Sequence, residues 1–360
     1  MKSSFNYFLP VGAVLFLMAI GMFLLNVHLL LGPTMILGFV MLAIGIRAHK
    51  FFKGFSFASL IFASVTAALF YPGYFTSWGD FKLTLLIVPL LQVIMFGMGT
   101  EMSVKDFVGV IKMPKAVGIG ILCQFTIMPL VGYSLAVLFK FPPEIAAGLV
   151  LIGASPSGLA SNVMTYLAKA NLALSVTLTA CATLLAPIMT PLIMQKLAGQ
   201  FVPIDFYSMM WSIFKIVILP IMAGLLFNHF YHGKLKWLDK VLPLVSMAGI
   251  AIIIIIITAA GRDSLLSIGL ALVAAAIVHN SLGYFLGYWA CRVFKMPEQD
   301  CRTIALEVGM QNGGLASGIA LEMGKVATVG LAPAVFGPWM NISGSSLATW
   351  WRERQDSTSK

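Results

Sequence analysis

The chain is a succession of apolar runs, each about as long as a helix that crosses a lipid bilayer. A spanning helix needs about 20 mostly apolar residues. The runs are rich in Leu, Ile, Met and Ala, and they lack the polar–apolar alternation of a membrane barrel strand. Since only helices and closed barrels satisfy their backbone polar groups in lipid, the sequence predicts an all-α polytopic membrane protein.

The runs divide into a short N-terminal pair and ten further spans. We place the pair at residues 8–31 and 34–49, as a hydrophobic hairpin within residues 1–53. The ten spans lie within residues 54–352, near 56–72, 80–102, 115–140, 144–168, 171–198, 206–229, 240–261, 265–292, 298–323 and 325–350. Residues 353–360 are predicted to form a tail on the cytoplasmic side.

The basic residues indicate a membrane topology and argue against nucleic acid as a partner. The formal net charge is +10, but the basic residues lie between apolar runs and form no single patch. Of the 23 Lys and Arg residues, seventeen fall on one side of the predicted spans, Lys215 falls within a span, and five fall on the other side, namely Lys82, Lys140, Lys196, Arg262 and Lys325. Cytoplasmic loops are enriched in Lys and Arg. We therefore predict a multi-pass protein in the lipid of the cell inner (cytoplasmic) membrane, with both termini cytoplasmic.

Motifs for catalysis and for nucleotide binding are missing from the sequence. It contains no His-Glu-x-x-His pair, no Gly-x-Ser-x-Gly elbow and no glycine–lysine phosphate loop. We therefore expect that the chain is not an enzyme and does not hydrolyse ATP by itself. An intramembrane enzyme that acts on a lipid remains an alternative.

Two segments of the chain resemble each other. Pro143-Glu144 leads through an apolar stretch to Gly158-Leu159-Ala160-Ser161, and Pro297-Glu298 leads in the same way to Gly314-Leu315-Ala316-Ser317. They are the fourth and ninth of the ten spans, so they would cross the membrane in opposite directions. Inverted repeats of this kind are common in secondary transporters. Chance similarity between two apolar segments is the alternative explanation.

Both segments contain residues that interrupt a helix. Proline removes a backbone donor, and glycine costs about 1 kcal/mol relative to alanine inside a helix. Residues 154–158 read Ala-Ser-Pro-Ser-Gly, and residues 309–314 read Gly-Met-Gln-Asn-Gly-Gly. Broken backbone at membrane depth is tolerated only where it is buried in protein or lines a watery cavity. The two breaks therefore predict a binding or permeation site.

Glu307 is the acidic residue that most needs an explanation. It lies nine residues into its span, or about 14 Å deep at 1.5 Å per residue. An ionised carboxylate at that depth requires a partner, and no Lys or Arg shares its predicted depth. We expect the partner to be a bound cation or a proton. The alternative is a protonated side chain that bonds to neighbouring helices.

Neutral oxygen atoms near the two breaks could complete a cation site with Glu307. They are the side chains of Ser161, Asn162, Ser175, Thr179, Gln124 and Gln311 and the backbone carbonyls of Val308 and Met310. Ser175 and Thr179 are four residues apart and share a helix face. Taken singly, each hydroxyl could instead bond to its own helix. For His279, Asn280 and Asn341, we expect hydrogen bonds between helices, with cavity lining as the alternative.

At these residues the chain resembles the bile acid:sodium symporters. The matching stretches are Phe96-Gly97-Met98-Gly99, Gln124-Phe125 with Met128-Pro129, residues 160–168 (ASNVMTYLA), residues 171–176 (NLALSV), residues 307–312 (EVGMQN) and Asn341-Ile342-Ser343-Gly344. They occur in order between about residues 56 and 350, and the N-terminal hairpin lies outside them.

The resemblance implies ten transmembrane helices in an inverted five-plus-five repeat, with two broken helices that cross. A core domain would comprise residues from about 115 to 198 and from 265 to 350. A panel domain would comprise residues from about 56 to 102 and from 206 to 261. Transport would proceed by alternating access as the core moves against the panel. It also implies two Na⁺ sites. The first would comprise Ser161, Asn162, Ser175, Thr179 and Glu307, and the second Gln124, Glu307, Val308, Met310 and Gln311.

The same resemblance implies sodium-coupled uptake of an organic anion, either bile-acid-like or a small carboxylate. We expect Asn312 and Asn341 to contact this substrate, together with the backbone at Gly158 and Leu159. Leu159 and Met340 make the predicted crevice less polar than in some family members. The alternatives are a proton-coupled transporter or antiporter that uses Glu307 as its proton carrier, and a passive channel. The sequence makes no prediction of the oligomeric state or of a role for residues 1–53.

Overall fold

The computed structural model describes residues 7–27, 29–46, 55–103, 106, 108–231 and 237–358. The predicted N-terminal hairpin and C-terminal tail therefore lie partly outside the described residues. Several of the basic loops on which the predicted orientation depends also lie outside the described residues.

The described chain is helical apart from its connections and one β-hairpin, whose two strands have two residues each. The N-terminal part comprises α1 (Phe8–Leu24), α2 (Leu31–Ile46), α3 (Phe55–Phe70), α4 (Gly73–Thr76), β1 (Ser77–Trp78), β2 (Phe81–Lys82), α5 (Ile87–Glu101) and α6 (Val108–Lys112). The rest comprises α7 (Pro114–Leu138), α8 (Pro143–Ala154), α9 (Leu159–Leu167), α10 (Leu172–Ile193), α11 (Phe206–Ile213), α12 (Leu219–Tyr231), α13 (Leu238–Ala260), α14 (Arg262–Val293), α15 (Glu298–Gly309), α16 (Gly313–Glu322) and α17 (Leu331–Thr358).

Five of the described helices are long and apolar enough to cross a membrane. They are Leu83–Glu101, Pro114–Leu138, Leu172–Ala198, Phe206–Phe230 and Arg262–Val293. A π-helical turn joins α11 to α12 within one of them, and the predicted spans 144–168 and 298–323 are each divided into two shorter helices. The helical membrane class is thus confirmed, and the count of ten spans stays a prediction.

The predicted start of the last span at residue 325 is wrong. Residues 325–330 form turns, and α17 begins at Leu331. The cause is the end of α16, where Gly324 adopts a φ of 68° and turns the chain. Lys325 then forms an ion pair with Glu144, which also accepts a bond from Thr328 at 2.5 Å.

The N-terminal hairpin packs on α3 through α2. The Ser56 hydroxyl donates to the Ala43 carbonyl at 2.8 Å, and the rings of Phe39 and Phe62 stack with centroids 5.7 Å apart. Gly32 lies directly against the ring of Phe70, where any larger residue would clash. The hairpin is therefore attached to one edge of the molecule, next to α3.

The two interrupted helices have closely similar dimensions. Helix α8 and helix α15 each have 12 residues, and each follows a proline with extended backbone, Pro142 and Pro297. After the breaks, α9 has 9 residues and α16 has 10. The predicted breaks are confirmed, because α8 ends at Ala154 and α15 ends at Gly309, each followed by extended backbone.

The connections around the interrupted helices also match. Helices α7 and α14 both end at a lysine in the left-handed conformation, Lys140 with φ 52° and Lys295 with φ 55°. The residue after each lysine donates back to a carbonyl five residues earlier, a helix-ending pattern called the Schellman motif. Helices α9 and α16 end in the same way at Lys169 and Gly324.

The helices pack in two neighbouring sets. Helix α5 packs against α12 and α13, and α13 also packs against α3. Helices α7, α8, α10, α14, α15 and α17 pack mainly among themselves. The breaks at residues 155–158 and 310–312 lie within the second set. Helix α16 also contacts α5 of the first set, and it contacts α11.

Candidate functional site

The two helix breaks bond to each other. Ser157 and Gln311 form a short antiparallel bridge. The Gly158 N–H donates to the Met310 carbonyl at 3.3 Å, and the Asn312 N–H donates to the Pro156 carbonyl at 2.8 Å. Because a broken helix leaves backbone groups without their usual partners, each break here supplies partners for the other.

Glu307 lies beside this junction, in the last turn of α15. It is only 2% exposed. Four hydroxyl groups donate to its carboxylate. Ser161 at 2.6 Å and Ser175 at 2.5 Å bond to Oε1, and Ser157 at 2.5 Å and Thr179 at 2.9 Å bond to Oε2. Among the described residues, no Lys, Arg or His forms an ion pair with Glu307.

The residues predicted for the first Na⁺ site lie together in one cluster. The Asn162 Oδ1 is an alternative acceptor for two of the hydroxyls at Glu307, Ser175 at 2.8 Å and Thr179 at 3.2 Å. Ser175 and Thr179 thus bond across helices and do not only satisfy their own backbone. The single O–H of Ser161 can donate either to Glu307 at 2.6 Å or to the Gly158 carbonyl at 2.8 Å.

Three of the residues predicted for the second site, Gln124, Val308 and Gln311, are joined by a separate network. The Gln124 amide donates to the Gln311 Oε1 at 2.8 Å and to the Ser155 carbonyl at 2.9 Å. The Gln311 amide donates in turn to the Val308 carbonyl at 2.6 Å. The Gln124 Oε1 is buried and has no partner in the described part of the chain. A buried acceptor without a donor is unfavourable by about 1–3 kcal/mol unless a ligand satisfies it.

This donor set can hold a hard monovalent cation. It combines one carboxylate with hydroxyl, amide and backbone carbonyl oxygens, and hard cations prefer oxygen ligands. A hydroxyl that donates to Glu307 can rotate and present its lone pairs instead. The unpartnered Gln124 oxygen adds an acceptor that no described donor satisfies. The residues therefore fit Na⁺ chemically.

A cavity of about 370 Å³ adjoins the junction. Its lining includes all four residues predicted for the substrate, Gly158, Leu159, Asn312 and Asn341. Most of the other lining side chains are apolar, including Met340. The Asn312 Oδ1 caps α16 by accepting from the Leu315 N–H at 3.0 Å, so its amide nitrogen is the group available to a ligand.

Three other predicted polar residues fall into two groups. The Asn280 amide donates to the Gly309 carbonyl at 2.7 Å, and a His279 ring nitrogen lies 2.9 Å from the Met128 carbonyl. These two bonds between helices are confirmed. Asn341 bonds instead to Gly337 of its own helix at 2.9 Å and lines the cavity, which was the alternative.

One residue of the cluster was not among the sequence-predicted ligands. Ser157 contacts both Glu307 at 2.5 Å and Thr179 at 3.4 Å. Its position inside the break, directly before Gly158, was a usable signal. Broken backbone aims such side chains at the junction, whereas a residue in a continuous helix faces a neighbouring helix or lipid.

Two interrupted helices that meet at a buried carboxylate, within an apolar helical chain, are typical of ion-coupled membrane transporters. This is the class of protein to which the fold and the site point. The chain belongs to the sodium bile acid symporter family, because the model of that family matches residues 88–268 and related proteins match over most of the chain.

Three relatives illustrate the range of this family. The uncharacterized sodium-dependent transporter YocS of Bacillus subtilis is 40% identical over 310 residues, which cover 86% of this chain and 94% of that protein. The probable chloroplastic sodium/metabolite cotransporter BASS1 of Arabidopsis thaliana is 35% identical over 262 residues, covering 73% of this chain and 65% of that protein. The ileal sodium/bile acid cotransporter of Oryctolagus cuniculus is 35% identical over 243 residues, covering 66% and 69%.

Proposed function

We propose that the chain is a sodium-coupled symporter that carries an organic anion into the cell by alternating access. The observation that carries this proposal is the position of Glu307. It is buried, it receives four hydroxyl donors, and it lies where two helix breaks meet beside a cavity. The three relatives are all described as sodium-dependent transporters or cotransporters, which supports the choice of ion.

Two sodium ions would bind at the junction, and they would share Glu307. The first would use the oxygens of Ser161, Asn162, Ser175 and Thr179. The second would use the side chains of Gln124 and Gln311 with the carbonyls of Val308 and Met310. Sodium bound across both breaks would order them, and the substrate would then bind the ordered form more tightly.

The cavity suits a largely apolar anion. Helices α9 and α16 both begin at its wall, at Leu159 and Gly313, and the positive ends of helix dipoles favour negative charge. Asn312 and Asn341 would donate hydrogen bonds to a carboxylate or sulfate, and the apolar lining would contact the rest of the molecule. Both a bile-acid-like molecule and a smaller organic acid satisfy these requirements.

The transporter unit, residues 54–352, would be an inverted five-plus-five repeat. Its core would comprise about residues 115–198 and 265–350, and its panel about 56–102 and 206–261. The equal lengths of α8 and α15 and the left-handed lysines that precede both support this arrangement. Both termini would be cytoplasmic in the inner membrane. Residues 1–53 would be a separate hairpin, and 353–360 a tail.

A proton-coupled transporter or antiporter is the second candidate. The absence of an ion pair to Glu307 among the described residues favours it equally, because a buried carboxylate without a cation can bind a proton. Glu307 would then be the proton carrier, and transport would respond to pH and not to sodium.

Sodium-dependent thermal stability of the purified full chain separates these candidates. Sodium at about 100 times its Kd should add about 2.7 kcal/mol to the free energy of unfolding, whereas potassium should not. Glu307→Gln should remove this response, and Glu322→Gln, a change at an exposed acid of α16, should keep it. Equal responses to sodium and potassium in the unaltered protein would exclude sodium coupling and favour the proton.

A further inference from the structure

Polar side chains continue away from Glu307 along three helices that pack together, α9, α10 and α15. On α15, Asp300 and Thr303 lie seven and four residues before Glu307, so the three residues share one helix face. On α10, Asn171 and Ser175 are four residues apart and also share a face. All but Asn171 are buried.

Hydrogen bonds hold the faces of α10 and α15 in register. The Asn171 amide donates to the Asp300 Oδ1 at 2.8 Å, and the Asn171 N–H donates to the Thr303 Oγ1 at 2.9 Å. One turn further along both helices, Ser175 donates to Glu307 at 2.5 Å. The two helices therefore run in the same direction, with polar groups facing each other from Asp300 to Glu307.

Helix α9 forms the third side of this junction. Ser161 contacts Glu307, and Thr165 lies one turn further along the same face of α9. The Thr165 carbonyl accepts from the Ala170 N–H at 3.1 Å, which places Thr165 beside the residue that precedes Asn171. Thr165 therefore lies between the level of Glu307 and the level of Asp300.

The Thr165 hydroxyl is the unexplained group at this junction. It is 0% exposed, and it has no hydrogen-bond partner among the described residues. Leaving a buried hydroxyl unpaired is unfavourable by about 1–3 kcal/mol. Most threonines at membrane depth here, such as Thr183 at 2.7 Å, bond to their own helix.

We propose that this junction is a path for the coupling cation, with Asp300 as a second carboxylate that binds the ion in transit. The proposal rests on the proposed function, because it takes the ion at Glu307 to be sodium. Asp300 is about 10 Å from Glu307 along the helix axis, at 1.5 Å per residue. The hydroxyls of Thr165 and Thr303 supply oxygens between the two carboxylates.

Asp300 lies at the end of the path where α10 and α15 begin. It is 9% exposed and belongs to the first turn of α15. The positive-inside rule assigns this end to the cytoplasm, so the path leads to the side on which sodium is released. Asp300 could instead only accept the Asn171 bond and place its negative charge at the positive end of the α15 dipole. That role alone would leave the Thr165 hydroxyl unexplained.

Sodium binding and release rates of the purified full chain test the path. Asp300→Asn removes the charge and keeps an oxygen that can accept from Asn171. A group that only assists passage changes both rates equally, so association and release of radioactive sodium should each slow about ten-fold while the equilibrium midpoint stays unchanged. Thr165→Val should slow both rates by a smaller factor.

Glu298→Gln is the matched control. Glu298 is in the same first turn of α15, but its carboxylate pairs with Arg302 at 2.9 Å and Arg292 at 3.6 Å. This variant should keep both rates. The path is refuted if Asp300→Asn changes only one of the two rates and thereby shifts the equilibrium midpoint, or if Glu298→Gln slows sodium association and release as much as Asp300→Asn does.

The result for the unaltered protein distinguishes the two proposals. If it binds no sodium, the proposed function fails. If it binds sodium and both Asp300→Asn and Thr165→Val leave the rates unchanged, only the path is wrong. Should Asp300→Asn fail to fold, Thr165→Val decides alone, because the change from Thr to Val removes the hydroxyl at nearly constant volume.

Discussion

The two interrupted helices share their backbone plan and differ in the chemistry that they carry. Each begins after a proline, runs for 12 residues and breaks. The first break supplies hydroxyl groups, at Ser157 and at Ser161 one turn later, while the second supplies the carboxylate of Glu307 and the amide of Gln311. The two interrupted helices therefore have similar backbones, but the first supplies hydroxyl donors and the second supplies the negative charge.

Counted from the N-cap prolines Pro142 and Pro297, the position of Glu307 in the second helix corresponds to Ile152 in the first, and Gly153 follows it. A Cβ at Gly153 would lie 2.5 Å from the Met128 carbonyl oxygen, so no side chain fits there. Helix α7 packs into that space. Gly153 is thus a close-packing position, and the carboxylate of the described site comes from the second helix alone.

The helix that precedes each interrupted helix supports its break with an amide. Gln124 of α7 donates to the carbonyl at the end of α8, and Asn280 of α14 donates to the carbonyl at the end of α15, at 2.9 Å and 2.7 Å. Gln124 also reaches across to Gln311 of the other break. The supporting groups thus correspond, and only the first takes part in the predicted sodium network.

Gly153→Ala should have the largest effect, because it places a methyl group against the backbone of α7. We expect a loss of about 3 kcal/mol in the free energy of unfolding, as overpacking against rigid backbone cannot relax. Thermal unfolding of the purified protein measures it. Gly118→Ala in α7, where nothing lies within 4 Å, should instead be neutral or gain up to about 1 kcal/mol. Equal destabilisation by the two variants would contradict the close-packing argument.

Ser157→Ala should have the next largest effect, on both folding and sodium. It removes a donor 2.5 Å from Glu307, and a hydrogen bond to a charged group contributes about 1.5–3 kcal/mol to the free energy of unfolding. It also removes an oxygen that can rotate to bind the ion, so the sodium midpoint should rise about ten-fold. Ser155→Ala, two residues earlier, removes only a bond to the Leu151 carbonyl and should shift the midpoint less than about two-fold. A larger shift for Ser155→Ala would show that the break as a whole, and not Ser157, determines the affinity.

Asn312→Ala should have the smallest effect. Its side chain caps α16, and loss of a cap costs about 1 kcal/mol. Gly158 stands at the same point before α9 without a side-chain cap, and a Cβ there would meet nothing closer than 3.7 Å, so Gly158→Ala should be nearly neutral. Thermal unfolding measures both, and sodium should still stabilise both variants. Loss of the sodium response in Asn312→Ala would place Asn312 in the ion site.

Much of the candidate site was predictable, because proline and glycine mark the breaks and an acid at membrane depth requires polar neighbours. The predicted ligands Ser161, Ser175 and Thr179 do contact Glu307. The packing of α9, which carries Thr165, against α15, which carries Asp300, was not predictable, since the two helices lie more than 130 positions apart in the chain.

The predicted span boundaries failed where local geometry overrides hydropathy. The turn after Gly324 delays the last helix, and the β-hairpin at residues 77–82 interrupts an apolar region by a turn at Gly79, whose φ is 58°. Both depend on backbone conformations that average hydropathy does not register.

The N-terminal hairpin has a consequence for the predicted membrane topology of the chain. Helices α1 and α2 are joined by a short connection and pack against each other, so the chain returns to the level from which it started before α3 begins. If both helices cross the membrane, as the sequence predicts, the pair adds an even number of crossings. The helices that follow would then keep the same orientation in the membrane with or without the pair.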